Sequence, residues 1–226
     1  MVKKIYQKAN LIAANCNELS KDLGDLINKK VLTIFNPCFF KIQKKIRIDD
    51  GFIRILNIAR FEKQKDHMTL LKSIALSPLK TKIKLTLVGY GSTYGQICNF
   101  IKKNNINAKI YTNTVKLEKF YKNTNLFILT SIYEGLPTVM VEAASYCIPI
   151  ISSDFKSGSN EILNHGKNGY IFKVGDYRSL SSIINKFYHA PSSFFNREFR
   201  CRKSLSKFSN QKNLKKFNKL LNSLAN

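Results

Sequence analysis

Acidic residues are scarce in this sequence. It has 14 Asp and Glu residues against 38 Lys and Arg residues among 226, and its formal net charge is +24 at pH 7. A surface this basic favours anionic partners such as nucleic acid, an acidic membrane or a phosphorylated ligand, although lysines spread over solvated faces would give the same total. The sequence has no compact Arg/Lys block with interleaved aromatic residues. The charge alone therefore does not predict a nucleic-acid-binding protein, and no nucleic acid is expected as a partner.

Cysteine and histidine are few and scattered. The cysteines are an odd number without a Cys-x-x-Cys pair, which argues against a disulfide framework or a zinc knuckle and predicts reduced thiols in a cytoplasmic protein. They are Cys16, Cys38, Cys98, Cys147 and Cys201. The histidines lie far apart without ligand spacing, so no metal site and no cofactor is predicted. They are His67, His165 and His189.

Long hydrophobic runs are also missing. No segment is apolar for the roughly 18 residues that a membrane-spanning helix needs. The N-terminus begins Met-Val-Lys-Lys, but polar residues soon interrupt it, so no signal peptide is predicted. The hydrophobic content of 44% is nevertheless that of a globular protein with a buried core.

From about Phe52 onward, strand and helix patterns alternate. Continuous apolar runs such as NLFILTS are typical of strands buried on both faces of a parallel sheet. Strands are predicted at 52–60, 82–91, 108–112, 125–131, 148–153 and 170–174, and helices at 67–76, 93–103, 115–123, 137–146 and 176–188. A short turn is predicted at 160–163. This alternation predicts an α/β fold with a Rossmann-like, doubly wound parallel sheet.

The two ends of the chain have a different pattern. Residues 10–35 are predicted as strand, helix and strand, which is too little for a domain. Residues 41–50 are charged and resemble a linker, and residues 191–226 are predicted to form two amphipathic helices. The apolar face of the last helix must pack on this domain's own sheet or on a partner domain.

The segment SIYEGLPTVMVEAA carries the strongest chemical signal. A buried strand delivers it to the carboxyl edge of the sheet, where open α/β sheets bind ligands. Pro137 suits the first position of the following helix, whose free N–H groups are a ready site for phosphate. Glu134 lies in the loop and Glu142 a little over two turns into the helix. Both carboxylates are predicted to face one ligand that spans the helix end.

Several ordered segments resemble family 4 glycosyltransferases. EGLPTVMVE matches the family's E-x7-E motif, and LNIARFEKQKDH resembles the segment in which an Arg and a Lys contact the donor diphosphate. Further resemblances, over roughly residues 50–190, are KLTLVGYG, NTNLFILTS, SDFKSGSNEIL and GKNGYIFKVGDYRSLSSII. The resemblance implies the C-terminal half of a two-domain GT-B glycosyltransferase. The implied reaction transfers a hexosyl or N-acetylhexosaminyl group from a nucleotide-diphosphate sugar, with retention and without a metal.

The resemblance also implies roles for individual residues. Glu134, Arg60 and Lys65 are the predicted catalytic residues: Glu134 contacts the donor sugar, and the two cations stabilise the charge that grows on the leaving diphosphate. Glu142 is expected to accept hydrogen bonds from the ribose. The other predicted donor-binding residues are Gly135, Leu136, Pro137, Thr138 and Gly89. The substrate is expected to be a UDP-sugar, but Tyr111-Thr112-Asn113 departs from the family pattern near the base, which leaves UDP against GDP open.

The implied domain organisation is incomplete. Residues 1–40 correspond to a remnant of the N-terminal GT-B domain, 41–50 to a linker, 51–190 to the nucleotide-sugar-binding Rossmann-like domain and 191–226 to C-terminal helices. Expected partners are the donor, a glycan or lipid-linked acceptor, and a separate N-terminal domain chain or a second copy. A peripheral position at the inner face of an anionic membrane fits the basic charge.

Two alternatives stay open at this point. The chain could be a truncated, non-catalytic remnant that still binds a nucleotide sugar. It could instead be a basic protein that binds nucleic acid or an anionic membrane.

Overall fold

The computed structural model describes residues 2–44, 48, 50–114, 116–155 and 157–225. The chain starts with helix α1 (Val2–Gln7), which is followed by strand β1 (Ala13–Ala14), helix α2 (Asn17–Ile27) and strand β2 (Leu32–Thr33). β1 and β2 pair in parallel as a small separate sheet. The predicted strand, helix and strand are therefore present, whereas α1 was not predicted.

The main sheet has six strands. They are β3 (Ile53–Ile58), β4 (Ile83–Val88), β5 (Ala108–Tyr111), β6 (Leu126–Leu129), β7 (Ile150–Ser153) and β8 (Tyr170–Phe172). Every neighbouring pair is parallel, and the order is β5-β4-β3-β6-β7-β8. This is the strand order of the doubly wound nucleotide-binding fold. The predicted α/β class and Rossmann-like parallel sheet are confirmed.

Helices connect the strands and extend beyond them. They are α3 (His67–Leu76), α4 (Tyr94–Lys103), α5 (Glu118–Lys122), α6 (Thr138–Ser145), α7 (Ser159–Leu163), α8 (Tyr177–His189), α9 (Ser192–Lys203) and α10 (Asn210–Ala225). Short 3-10 turns lie at Lys63–Lys65, Lys80–Lys82 and Leu205–Phe208. Asp66 caps α3 by accepting a hydrogen bond from the Thr69 backbone N–H at 3.2 Å. Such a cap contributes about 1 kcal/mol and fixes where the helix starts.

The apolar core has two layers, one on each face of the sheet. Alternate side chains of β6 divide between them: Phe127 and Leu129 point to one layer, and Leu126 and Ile128 to the other. Residues of α6 and α9 cover the first face, and residues of α3, α4 and α8 cover the second. All four residues of β6 are buried. Burial on both faces explains why the central strands are apolar without alternation.

Two sequence expectations need correction. Pro137 is the N-cap of α6 rather than its first helical residue, since its ψ of 95° is extended. The segment 160–163, predicted as a turn, belongs to α7. For the last helix, the structure does not support the first of the two alternatives, packing of its apolar face on the sheet: Phe208 before it is buried, but Leu214, Phe217 and Leu221 are 41–49% exposed. Packing on a partner domain stays a prediction. None of the helices that the structure describes combines the length and the apolar character needed to cross a membrane.

Candidate functional site

The strand order reverses between β3 and β6 in the middle of the sheet. The loops that follow these two strands lead to opposite sides, which leaves a crevice at their carboxyl ends. A cavity of about 670 Å³ occupies this crevice. Its volume lies within the range of roughly 300–1,000 Å³ that small-ligand sites have. Its lining residues are Ile58, Ala59, Arg60, Lys65, Val88, Gly89, Tyr90, Tyr111, Asn113, Thr114, Leu117, Glu134, Leu136, Pro137, Thr138 and Val139.

Most of the predicted site residues meet at this cavity. The ones that line it are Arg60, Lys65, Gly89, Glu134, Leu136, Pro137 and Thr138. Gly135 lies in the turn between two lining residues, but neither Gly135 nor Glu142 lines the cavity itself. The topology thus gathers residues up to 78 positions apart, while the chemical role of each stays a prediction.

Lys65 and Glu134 form an ion pair inside the cavity. The Lys65 ammonium contacts Glu134 Oε1, and the two side chains are only 11% and 14% exposed. The Ser131 hydroxyl donates a second hydrogen bond to the same carboxylate oxygen at 2.8 Å. Because this pair is largely shielded from water, it fixes both side chains more firmly than an exposed pair would. One cation and one carboxylate therefore have fixed positions at the switch point, the place where the strand order reverses.

Hydrogen bonds to backbone groups join the two loops that carry Lys65 and Glu134. The Thr130 hydroxyl donates to the Lys65 carbonyl at 3.0 Å, and the Ile132 N–H donates to the Gln64 carbonyl at 2.8 Å. The Gln64 side-chain amide donates in return to the Tyr133 carbonyl at 2.6 Å. These hydrogen bonds consequently fix the loop after β3 and the loop after β6 relative to each other.

Arg60 differs from Lys65 in being exposed. Its guanidinium has no hydrogen bond or ion pair with any residue that the structure describes. Two hydrogen bonds from Ser92, and to a smaller extent the nearby Arg60 charge, lower the pKa of Glu62. The Arg60 cation is therefore available to an anionic ligand in the cavity, where a planar guanidinium can bind phosphate through two N–H groups.

Gly89 allows the ends of β3 and β4 to approach each other. A Cβ added at Gly89 would lie 2.0 Å from the Ala59 carbonyl oxygen, much closer than any real contact. The Gly89 N–H donates to the Tyr111 carbonyl at 3.0 Å, which ties the ends of β4 and β5 together as well. The glycine is needed here for close approach of backbone at the cavity wall.

The start of α6 forms the opposite wall. Pro137 precedes the helix and has no N–H, and Thr138 and Val139 line the cavity. The first N–H groups of a helix have no partner within the helix and carry the positive end of its dipole. An anion in this cavity would meet those N–H groups together with the Arg60 and Lys65 cations.

Glu142 lies one helical turn beyond Thr138 on the same face of α6. Its Oε2 accepts a hydrogen bond from the Tyr121 hydroxyl at 2.8 Å. Burial raises the pKa of Glu142, and the bond from Tyr121 opposes that rise. The Tyr121 ring is itself 2% exposed and stacks on Tyr146 with their centroids 5.0 Å apart. The Tyr121 hydroxyl thus helps to fix the position of the Glu142 carboxylate, which does not line the cavity.

Sequence reasoning missed Tyr121 and several lining residues. Tyr121 is 21 positions before Glu142 and belongs to a different helix, so no local spacing connects the two. Tyr90, Thr114 and Leu117 line the cavity from loops whose sequences carry no ligand signature. Across the described ranges, no group of three or more His, Cys, Asp or Glu side chains is placed to hold a metal ion.

A family model for glycosyl transferases group 1 matches residues 39–222 of this chain. The matched range contains the whole six-stranded sheet, the cavity and all the predicted site residues.

Curated relatives agree with that match. The amylovoran biosynthesis glycosyltransferase AmsD of Erwinia amylovora is 33% identical over 158 residues, which are 67% of this chain and 43% of that protein. A second relative is a 4-alpha-N-acetylgalactosaminyltransferase of Campylobacter jejuni, whose name also contains N-acetylgalactosamine-N,N'-diacetylbacillosaminyl-diphospho-undecaprenol. It is 26% identical over 192 residues, which are 80% of this chain and 51% of that protein. The chain spans about half the length of the curated relatives it matches.

A solved structure shows the same fold. S. aureus TarM, in a variant crystallised with UDP and other ligands, superimposes with a TM-score of 0.86 at 21% identity. The likeness covers 98% of this chain and 45% of TarM.

Proposed function

The chain belongs to the glycosyl transferases group 1 family, and on that premise we propose that it binds a nucleotide-diphosphate sugar at the switch point and supplies the donor half of a glycosyltransferase. The observation that carries the proposal is the cavity itself, where Arg60, the Lys65–Glu134 pair and the start of α6 surround one space. Cations, helix N–H groups and a carboxylate around one space suit a ligand with a diphosphate and a sugar.

The proposed chemistry is transfer with retention, of the family 4 type. The bond between the sugar C1 and the diphosphate oxygen breaks, the acceptor oxygen bonds to C1 on the same face, and the acceptor proton passes to the leaving phosphate. Negative charge grows on the diphosphate during this step, so Arg60, Lys65 and the α6 N–H groups stabilise the transition state. We infer that these groups perform the reaction without a metal, which the absence of an Asp-x-Asp pair in the sequence supports.

The remaining cavity residues orient the donor in this proposal. Glu134 contacts the sugar hydroxyls, and Glu142 accepts from the ribose once the ligand reaches past Thr138. The base lies toward Tyr111 and Asn113, which line the far wall. UDP is the proposed nucleotide.

The acceptor and its binding half are also part of the proposal. The names of the relatives support a glycan or lipid-linked acceptor, and the basic surface supports a site at the cytoplasmic face of an anionic membrane. We assign residues 1–40 to the end of an acceptor domain, 41–50 to a linker, 51–190 to the donor domain and 191–226 to terminal helices. The rest of the acceptor domain comes from further chain, a separate chain or a second copy.

Titration calorimetry with UDP, UDP-sugars and GDP-sugars tests the donor site. Lys65→Ala should weaken UDP binding by about 1.5–3 kcal/mol, because a shielded charged contact to phosphate is lost. Lys63→Ala is the matched control, since Lys63 lies in the same 3-10 turn but is exposed and does not line the cavity. The proposal fails if no nucleotide binds at millimolar concentration, or if both variants bind like the unaltered protein.

A further inference from the structure

The N-terminal segment, residues 10–33, is attached to the donor domain by an acidic side chain of α7. Glu161 Oε1 accepts the Asn17 backbone N–H at 2.6 Å, and Glu161 Oε2 accepts the Asn17 side-chain amide at 2.9 Å. Asn17 is the first residue of α2, and the Cys16 N-cap before it makes no capping hydrogen bond through its side chain. Glu161 therefore caps α2 from another part of the chain, as an N-cap side chain would.

The N-terminal segment in turn contributes a carboxylate that accepts hydrogen bonds from residues around the start of α7. Glu18, in the first turn of α2, accepts the Ser157 backbone N–H at 2.5 Å through Oε2 and the Asn160 side-chain amide at 3.1 Å through Oε1. Each of the two segments thus gives one carboxylate to the other. The chain has only 14 acidic residues and a net charge of +24, and two of these acidic residues lie at this one junction. Hydrogen bonds to ionised carboxylates are stronger than those between neutral groups.

The loop held by Glu18 also contacts the donor cavity. The Ser157 hydroxyl donates to the Glu134 backbone carbonyl. Gly158 next to it adopts a φ of +60°, and a Cβ there would lie 1.9 Å from the Gly135 carbonyl oxygen. The Asn15 side chain contacts Gly135 from the N-terminal segment. Packing from two directions therefore fixes the turn that carries Glu134.

We propose that Glu18 and Glu161 form a reciprocal clasp that holds the N-terminal segment on the donor domain and positions Glu134. The path runs from Glu18 through the Ser157 N–H and hydroxyl to the Glu134 carbonyl. Glu18 and Glu161 are positioning residues, because neither lines the donor cavity. The consequence for the sugar of the donor rests on the proposed function, whereas the coupling between the two segments does not.

Hydrogen–deuterium exchange tests the coupling without any ligand. In Glu18→Ala, we expect roughly tenfold faster exchange both in peptides from 12–27 and in peptides from 131–138, since one charged hydrogen bond shifts a local opening equilibrium by about that factor. Asp22→Ala, on the exposed surface of α2 one turn away, is the control and should leave 131–138 unchanged. Glu18→Gln keeps an accepting oxygen and should restore part of the protection. Unchanged exchange at 131–138 in Glu18→Ala overturns the clasp, even if 12–27 exchanges faster.

Donor binding tests the consequence for Glu134. The ratio of the UDP and UDP-sugar dissociation constants isolates the contribution of the sugar. Glu18→Ala should reduce that contribution by roughly three- to tenfold, the effect of one misplaced hydrogen bond, and leave UDP affinity unchanged. An unchanged ratio in a protein that binds UDP-sugar rejects the positioning role. Failure of the unaltered protein to bind any nucleotide rejects the proposed function instead, and the exchange measurement still decides the clasp.

Discussion

The carboxylate of Glu142 lies among three titratable neighbours: Tyr121 on α5, Tyr146 after α6 and Cys38 before β3. Burial raises its pKa, and the Tyr121 hydroxyl lowers it. Burial, and to a smaller extent the Glu142 charge, raises the pKa of the Cys38 thiol to about 11. Burial and the hydrogen bond from Tyr121, which lies 21 positions away, therefore shift the pKa of this carboxylate in opposite directions.

This environment gives a prediction about the ribose. If Glu142 accepts from the ribose, Glu142→Ala should weaken UDP binding by about 1.5–3 kcal/mol and weaken 2'-deoxy-UDP binding by less, because 2'-deoxy-UDP lacks one of the two hydroxyl donors. Calorimetry with both nucleotides measures the difference. Glu118→Ala is the control, because Glu118 pairs with Lys122 on the exposed side of α5. Equal losses for UDP and 2'-deoxy-UDP would argue against the ribose contact.

The pH dependence of UDP binding follows from the same group. The charged carboxylate is the better acceptor, so binding should be full above the raised pKa of Glu142 and decline as the pH falls through it. Tyr121→Phe removes the hydroxyl that stabilises the charge, so the midpoint of this decline should move to higher pH. Affinity measured from acid to neutral pH reports the midpoint. A midpoint that stays in place, or moves to lower pH, contradicts the assignment.

At the scale of elements, the glycine at the end of β4 is a test of how the cavity wall is built. Gly89→Ala should destabilise the fold by about 1–3 kcal/mol, since its Cβ would overlap the Ala59 carbonyl and push β4 from β3. Gly95→Ala should instead stabilise the fold by about 0.5–1 kcal/mol, because Gly95 lies in α4 with open space around its Cβ position. Urea denaturation of both variants measures the two free energies. The account of the wall is wrong if Gly89→Ala is neutral.

At the scale of the whole molecule, one buried imidazole couples stability to pH. His67 is 3% exposed, and neither ring nitrogen has a hydrogen-bond partner within the structure. Burial, with a smaller effect of Lys65, lowers its pKa to about 4. Because the unfolded state takes up a proton near pH 6.5 and the folded state does not, the free energy of unfolding is unaffected above pH 6.5 and falls as the pH drops toward 4.

The loss should amount to about 3 kcal/mol between those pH values. His67→Leu removes the titrating group and should flatten the dependence, whereas His189→Leu, at an exposed position, should retain it. Urea denaturation at a series of pH values from 4.5 to 7.5 provides the comparison. Equal slopes in His67→Leu and the unaltered protein would show that another group is responsible.

The sequence determined most of the secondary structure and the location of the cavity at the carboxyl edge of the sheet. Continuous apolar runs such as that of β6 predicted buried parallel strands, because that signal is local. The order of Arg60, Lys65 and Glu134 after their strands was enough to predict one shared edge, since carboxyl ends of parallel strands coincide.

Only the tertiary structure decided what these residues contact. Three sets of contacts join residues from separate segments. They are the Lys65–Glu134 ion pair, the Tyr121–Glu142 hydrogen bond, and the hydrogen bonds that Glu18 and Glu161 accept across two segments. Side-chain partners of that kind depend on the packing of the loops and helices in three dimensions. No periodicity or spacing in the chain encodes them, and for the same reason the sequence did not predict that Glu142 lies outside the cavity lining.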